Sequence, residues 1–278
     1  MTATVVPRAR RRLAAAVPPP VKVRLVEAEV ARFRRRHGSS ACFAPLMQLH
    51  LLPDGDIRAC CRNDRALGNI TEQRLPEIWA GANRRAMIDD LAAGRFAGGC
   101  SNCGDEVARE GRRGSYPAVF DHWGRRLGGV PDVAGMPNRM EFNLSNICNL
   151  QCIQCNGELS SSIRIHRDKR PPLGTIYDDT FFEDLAPFLL GLEHANFAGG
   201  EPFLGRENFR VWEMIADLVP DLDCTVCTNV TQWNARVERV LDSLNMNIIF
   251  SLDGISKRTY EAIRIGSDFD VVAANMER

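Results

Sequence analysis

The sequence predicts an α/β chain in which a small cysteine-bearing α+β unit precedes a parallel sheet with helical crossovers. Three observations carry this expectation. From Pro137 onward, short apolar runs alternate with amphipathic helical stretches, an order that calls for parallel strands joined by right-handed crossovers. Between residues 42 and 61, two alternating runs flank turn-forming residues, as in a hairpin. The ten cysteines fall in tight groups, and 278 residues leave room for one large domain and a smaller one.

In chain order, residues 1–40 form a basic arm, carrying ten Lys and Arg against Glu27 and Glu29 although the whole chain has zero net charge. Two readings of the arm stand: a solvated tail, disordered or helical, or a contact to an acidic partner or membrane surface. Residues 41–104 are expected to be the compact metal-bound unit. Met47, Leu49 and Leu51 alternate as a strand does, Pro53-Asp54-Gly55-Asp56 is turn chemistry, and Ile57 begins a second strand. Ile78, Trp79, Met87 and Leu91 suit one or two short helices over 75–91. Residues 105–136, rich in Gly, Arg, Asp and Pro, are expected to be a linker.

The second unit, 137–278, opens with a strand through Met140, Phe142 and Leu144. A helix follows, with Thr180 and Glu183 in capping-box spacing and Phe181, Leu185, Phe188 and Leu189 as its apolar face. Strands are expected at 195–198, 222–227 and 246–252. Between them lie helices marked by Phe209, Trp212, Ile215 and Leu218, and by Val237, Val240, Leu241 and Leu244. Residues 260–276 are expected to be largely helical.

Zero net charge argues for no nucleic acid. No apolar stretch approaches a membrane span, and LAAAV before Pro18 is too short for an export signal. Clustered cysteines in a chain of this size point to reduced thiols and metal ligation, hence a cytoplasmic location. The five histidines are scattered without metal-ligand spacing, and no hydrolytic constellation or phosphate-cradling glycine loop stands out.

The sharpest signal is CNLQCIQC, with Cys148, Cys152 and Cys155 in eight residues. Three thiolates anchor three corners of a cubane and leave one iron open, the feature that separates a reactive metal site from a closed one. With Gly199-Gly200-Glu201-Pro202 after a short apolar run, the chain resembles the radical S-adenosylmethionine (SAM) superfamily, whose signatures are CxxxCxxC after the first barrel strand and GGEP after the second. The resemblance implies a [4Fe-4S] cluster on Cys148, Cys152 and Cys155, with SAM on the open iron and the backbone of Gly199, Gly200 and Glu201 beside its amine. Reductive cleavage of SAM to a 5'-deoxyadenosyl radical would follow. Gln154 departs from the family pattern, which usually has an aromatic residue there. Thr228, Asn229, Ser251 and Asp253 fall at the carboxyl ends of strands, where they resemble the family's ribose-contacting residues; helix capping and turn formation are the other reading. Arg264 resembles an arginine that some relatives place near the SAM carboxylate, and an exposed helix arginine is the alternative. No residue is singled out as a catalytic acid, base or nucleophile. Cys224 and Cys227 lie three apart in a strand and so face opposite ways, which suits free thiols.

Cys42, Gly55 and Cys60, followed by Cys100 and Cys103, resemble the twitch form of the SPASM domain, set amino-terminal to the barrel as in one subgroup. That implies an auxiliary [4Fe-4S] cluster, with Cys60 the ligand by spacing and Cys61 spare; a four-cysteine zinc site is the chemical alternative. The expected fold is a partial (β/α) radical SAM barrel preceded by this twitch/SPASM-like domain. About four of the family's six units can be counted before Arg278, so a truncated chain is expected, with the fourth strand an uncovered edge if the sequence is complete. The resemblance further implies a peptide substrate and an electron donor such as flavodoxin or ferredoxin. A small-molecule radical SAM dehydrogenase and a degenerate, noncatalytic iron-sulfur or zinc-binding fragment are the alternatives.

Overall fold

The computed structural model describes residues 42–121 and 135–278. The basic arm lies outside the described residues, as do residues 122–134 of the tract expected to be a linker. Two compact units divide the chain in an interleaved way. One takes the described parts of Met1–His50 and Asp56–Met140, together with Asp179–Glu193; the other takes Leu51–Gly55, Glu141–Asp178 and His194–Arg278.

In the first unit, helix α1 (Ala44–Met47) runs into strand β1 (Gln48–Leu51), and β2 (Asp56–Arg58) pairs antiparallel with β3 (Gly68–Asn69). The turn before β2 needs Gly55, whose φ of 87° is left-handed, while its N–H donates to the Leu52 carbonyl at 3.0 Å. Two helices, α2 (Leu75–Trp79) and α3 (Ala82–Ala92), occupy the stretch where one or two were expected. Glu77 receives the Arg74 backbone N–H at 3.0 Å and so closes the first turn of α2. The tract beginning at 105 departs from expectation: α4 (Ser101–Glu110) and two 3-10 turns, Arg112–Gly114 and Tyr116–Phe120, fill its described part. Cys103 is the one buried residue of α4, so few apolar side chains mark the helix in sequence.

The second unit follows the expected alternation. Strands β4 (Arg139–Phe142), β5 (His194–Phe197), β6 (Asp223–Thr228) and β7 (Met246–Phe250) succeed one another in the sheet, and β5–β6 and β6–β7 pair in parallel. Helix α5 (Ser161–His166) follows the cysteine loop. Helix α6 (Asp179–Leu189), which groups with the first unit, starts one residue before Thr180. Helices α7 (Arg206–Leu218) and α8 (Ala235–Ser243) supply the crossovers, and α9 (Lys257–Ile263) and α10 (Phe269–Met276) split the last helical stretch. Asn234, Ser256 and Asp268 cap α8, α9 and α10 through their side chains. At the β7 end, Ile249 is 52% and Ile255 93% exposed. Among the described residues no helix is long and apolar enough to cross a membrane.

The core beneath the sheet is aromatic. Phe142 of β4 stacks on Phe197 of β5 at 4.9 Å, and Trp212 of α7 lies 5.1 to 5.3 Å from Phe197, Phe203 and Phe209. Such ring pairs add to burial through their offset and edge-on geometry. Since Trp212 is 1% exposed, Trp212→Ala is expected to cost about 3–5 kcal/mol, read as a lower urea midpoint by circular dichroism; a loss under about 1 kcal/mol would contradict this packing role.

Candidate functional site

The cysteine loop leaves β4 and is pinned at both ends. On the α5 side, the Ser161 hydroxyl accepts the Cys148 N–H at 3.1 Å and lies 3.2 Å from the Cys148 carbonyl, while Ser160 Oγ donates to the Leu150 carbonyl at 2.7 Å. Ser160 also caps α5 by accepting the Ile163 N–H. At the far end, the backbone N–H groups of Gln151 and Ile153 donate to the carbonyls of Ile265 and Ile263, at 2.8 and 3.0 Å. The Cys148, Cys152 and Cys155 thiols are thereby held near one another: Cys148 feels the charge of Cys152, and Cys152 that of Cys155. Burial pushes the Cys148 and Cys152 thiols up, and the Arg264 guanidinium opposes that at Cys152. Thiols in this state give up protons when metal binds, so ligation and deprotonation are coupled.

The Gly199-Gly200 turn packs onto this loop. Gly199 and Gly200 have φ of 75° and 57°, and a Cβ on Gly200 would stand 2.5 Å from the Ile147 carbonyl oxygen. Only glycine satisfies both demands. Glu201 then turns inward. Its N–H donates to the Ile147 carbonyl at 2.7 Å, and its carboxylate accepts from Thr228 Oγ1 (2.7 Å), the Asn229 N–H (2.7 Å) and the Phe203 N–H (3.1 Å). Burial raises its pKa, and these three donors work in the other direction. The Glu201 side chain is therefore committed to the protein, as is its backbone, whose carbonyl accepts the Leu204 N–H at 2.9 Å.

Asn229 Nδ2 reaches both Asn149 Oδ1, at 3.1 Å, and Cys148 Sγ, at 3.9 Å. It is aimed there by Val230, a buried β-branched residue at φ 61°, a strained conformation that costs on the order of 1–3 kcal/mol. Packing of Val230 with Tyr260 and Val272, and a bond from Asn275 Nδ2 to its carbonyl, hold it there. Arg264, at the end of α9, is largely buried rather than exposed: Nη1 lies 3.9 Å from Cys152 Sγ, and Nε lies 2.7 Å from Asp253 Oδ2 as an ion pair that is not aligned as a hydrogen bond. Gln154 Nε2 donates to the same Asp253 oxygen at 2.8 Å, giving the residue that departs from the family pattern a partner. Ser251 donates its N–H to the Thr228 carbonyl, with its hydroxyl 3.4 Å from Cys227 Sγ. Cys224 is buried and Cys227 half-buried, on opposite faces of β6. Thr228, Asn229, Ser251, Asp253 and Arg264 thus lie at one end of the strands with the cysteine loop. Asn149, Ser160, Ser161 and Val230 complete that end, and no sequence pattern singles them out.

The first unit holds a second thiol site. Cys42, Cys60, Cys100 and Cys103 line one pocket together with Asn63 and Tyr116. Cys42 feels Cys100 and Cys103, and Cys60 feels Cys42 and Cys100. Burial pushes the Cys42 thiol up to about 12 and raises those of Cys60, Cys100 and Cys103. Cys61 is exposed, with its sulfur 3.0 Å from the Tyr116 hydroxyl. Among the described residues no three His, Cys, Asp or Glu side chains stand close enough to grip a single metal ion. Two groups of soft thiols suit iron-sulfur clusters, whose ligands bind separate irons.

The Radical SAM superfamily pattern matches residues 142–278, and that of SPASM, an iron-sulfur cluster-binding domain, matches residues 42–104. A probable GTP 3',8-cyclase of Methanocella arvoryzae is 29% identical over 147 residues, 52% of this chain and 40% of that protein. The structure of anSMEcpe with bound S-adenosylmethionine is 24% identical, with a TM-score of 0.39 over 50% of this chain and 40% of that one. Streptococcus suis SuiB bound to its precursor peptide SuiA is 15% identical, with a TM-score of 0.38 over 72% of this chain and 41% of that one. The chain spans about two-fifths of the length of the curated relative named here.

Replacing Glu201 by Gln would set an amide N–H₂ against backbone and hydroxyl donors. Glu201→Gln is expected to lower stability by about 1–3 kcal/mol in urea unfolding; an unchanged midpoint would show that the three donors do not need a carboxylate.

Proposed function

Because the chain belongs to the radical SAM superfamily and carries a SPASM-type iron-sulfur domain, we propose that it binds a [4Fe-4S] cluster on Cys148, Cys152 and Cys155 and uses it to cleave SAM reductively. The observation that carries this reading is the three-thiol loop clasped between α5, the end of α9 and the Gly199-Gly200-Glu201 turn. When bound, the cluster supplies the electron that breaks the sulfonium C–S bond and yields the 5'-deoxyadenosyl radical. The protein's share is orientation. Ser161 fixes the Cys148 backbone; Asn229 and Arg264 set N–H donors beside two of the three sulfurs. Gly199 and Gly200 let backbone approach the SAM amine without a Cβ in the way. Ser251 and Asp253 are the polar groups offered to the rest of SAM at the strand ends, whereas Thr228 is buried with its hydroxyl taken up by Glu201 and Val230.

Cys42, Cys60, Cys100 and Cys103 hold a second, fully cysteine-ligated [4Fe-4S] cluster in this reading, an electron relay or substrate platform. The substrate class is a peptide, as the SPASM resemblance implies, in a cytoplasmic setting with flavodoxin or ferredoxin as electron donor. The GTP cyclase relative keeps a small-molecule substrate in view, so GTP belongs in the assay beside candidate peptides.

Anaerobic reconstitution of the full chain followed by dithionite and SAM is expected to release 5'-deoxyadenosine. Cys152→Ala is expected to bring this to background while about four irons per chain stay bound at the auxiliary site. Absence of 5'-deoxyadenosine from reconstituted protein, or equal loss of both clusters in the variant, would refute the assignment. The same iron assay separates the adjacent thiols: Cys60→Ala is expected to lose the auxiliary cluster and Cys61→Ala to keep it.

A further inference from the structure

Asn63 is a buried polar side chain, 2% exposed, that neither the hairpin nor the cysteine spacing explains. It sits three residues after Cys60, and its backbone N–H donates to the Cys60 carbonyl at 3.2 Å. The orientation of its carboxamide follows from its partners. Oδ1 accepts the Arg65 backbone N–H at 2.8 Å, and Nδ2 donates to the Gly98 carbonyl at 3.1 Å. A flipped amide would set like against like at both contacts. The remaining N–H points at Cys100 Sγ, 3.0 Å away. The Gly98-Gly99 turn that delivers Cys100 lies tight against the same segment: both glycines have positive φ, and a Cβ on Gly99 would fall 2.1 Å from Asp64 Oδ1. One side chain therefore joins the loop that carries Cys60 to the loop that carries Cys100, with a donor aimed at sulfur.

A hydrogen bond to a cluster thiolate stabilises the more negative, reduced state and so raises the reduction potential. Donors of this kind also orient the ligand itself. Arg62 stands near Cys103, yet its side chain is 46% exposed and its field is screened by water. Asn63, out of water, is the donor whose effect is not diluted in this way.

We propose that Asn63 is a positioning residue of the auxiliary centre, holding Cys100 in ligating geometry and, through its N–H···S bond, raising the potential at which a cluster on Cys42, Cys60, Cys100 and Cys103 accepts an electron. The inference rests on the auxiliary-cluster reading above. Its test uses the full-length chain with Cys148, Cys152 and Cys155 changed to Ala, reconstituted so that only the auxiliary site is filled. Asn63→Leu keeps a similar volume and removes the donor to sulfur without adding a charge beside the cluster. In a redox titration followed by electron paramagnetic resonance, the midpoint is expected to move to more negative potential with iron per chain unchanged. An unmoved or more positive midpoint at equal iron would overturn the proposal while leaving the cluster assignment standing.

Should Asn63→Leu lose its iron, the parent protein carrying Asn102→Ser and labelled with 15N in its asparagine side-chain amides decides the matter. Pulsed resonance of its reduced cluster is expected to show a weakly coupled 15N, and none would be seen if Asn63 did not donate to a ligand sulfur. A parent protein that binds no cluster at all overturns both this inference and the auxiliary reading.

Discussion

A single buried carboxylate ties together the end of the second unit that carries the cysteine loop. Burying an ionised carboxyl is costly unless donors replace its water, and Glu201 draws three, from Thr228, Asn229 and Phe203, while its own N–H reaches back to Ile147. The ends of β5 and β6 and the start of the cysteine loop consequently share one node. Moving any of them leaves a donor or the carboxylate unsatisfied. Asn229 inherits its position from this node, which is how its side chain comes to lie beside Cys148 and Asn149. The strained backbone of Val230 is tolerated because the packing around Tyr260 and Val272 and the bond from Asn275 leave it no unstrained alternative.

The two thiol groups sit in different surroundings. Cys148 and Cys155 are half-buried and only Cys152 is closed off, whereas Cys42, Cys60 and Cys103 are buried with only Cys100 half-buried. A centre that must admit a ligand to iron needs an approach, and a centre that stores or passes an electron gains from being enclosed. In the reading proposed here, that contrast follows the split between three ligands and four.

Most of the second unit was legible because its signals are local. Alternating Met140 and Phe142, the stripe of Phe209, Trp212 and Ile215, and the run at β6 each declare a period that burial then exploits, and β7 is read from its apolar run alone. Helix α4 was not legible: Cys103 is its one buried residue, apolar residues in it are few, and the glycine and arginine content around it resembles a linker. The grouping of α6 with the first unit was equally hidden. Arg74 pairs with Asp184 through two nitrogens at 2.7 and 2.6 Å, across 110 positions of sequence, and no local pattern encodes such a pair.

By itself the sequence determined the chemistry on offer. Three thiols at x3 and x2 spacing, a Gly-Gly-Glu-Pro turn, and four further cysteines around Gly55 are covalent facts whose consequences for metal binding hold in any fold that brings them close. Tertiary structure alone decided which groups surround those sulfurs. Cys60 faces the pocket and Cys61 faces solvent; Arg264 turns from a helix end toward Cys152; Asn63 presents its amide to Cys100. These are through-space relations, set where separate segments pack and where each buried donor and acceptor must find a partner, so they exist only once the chain has folded.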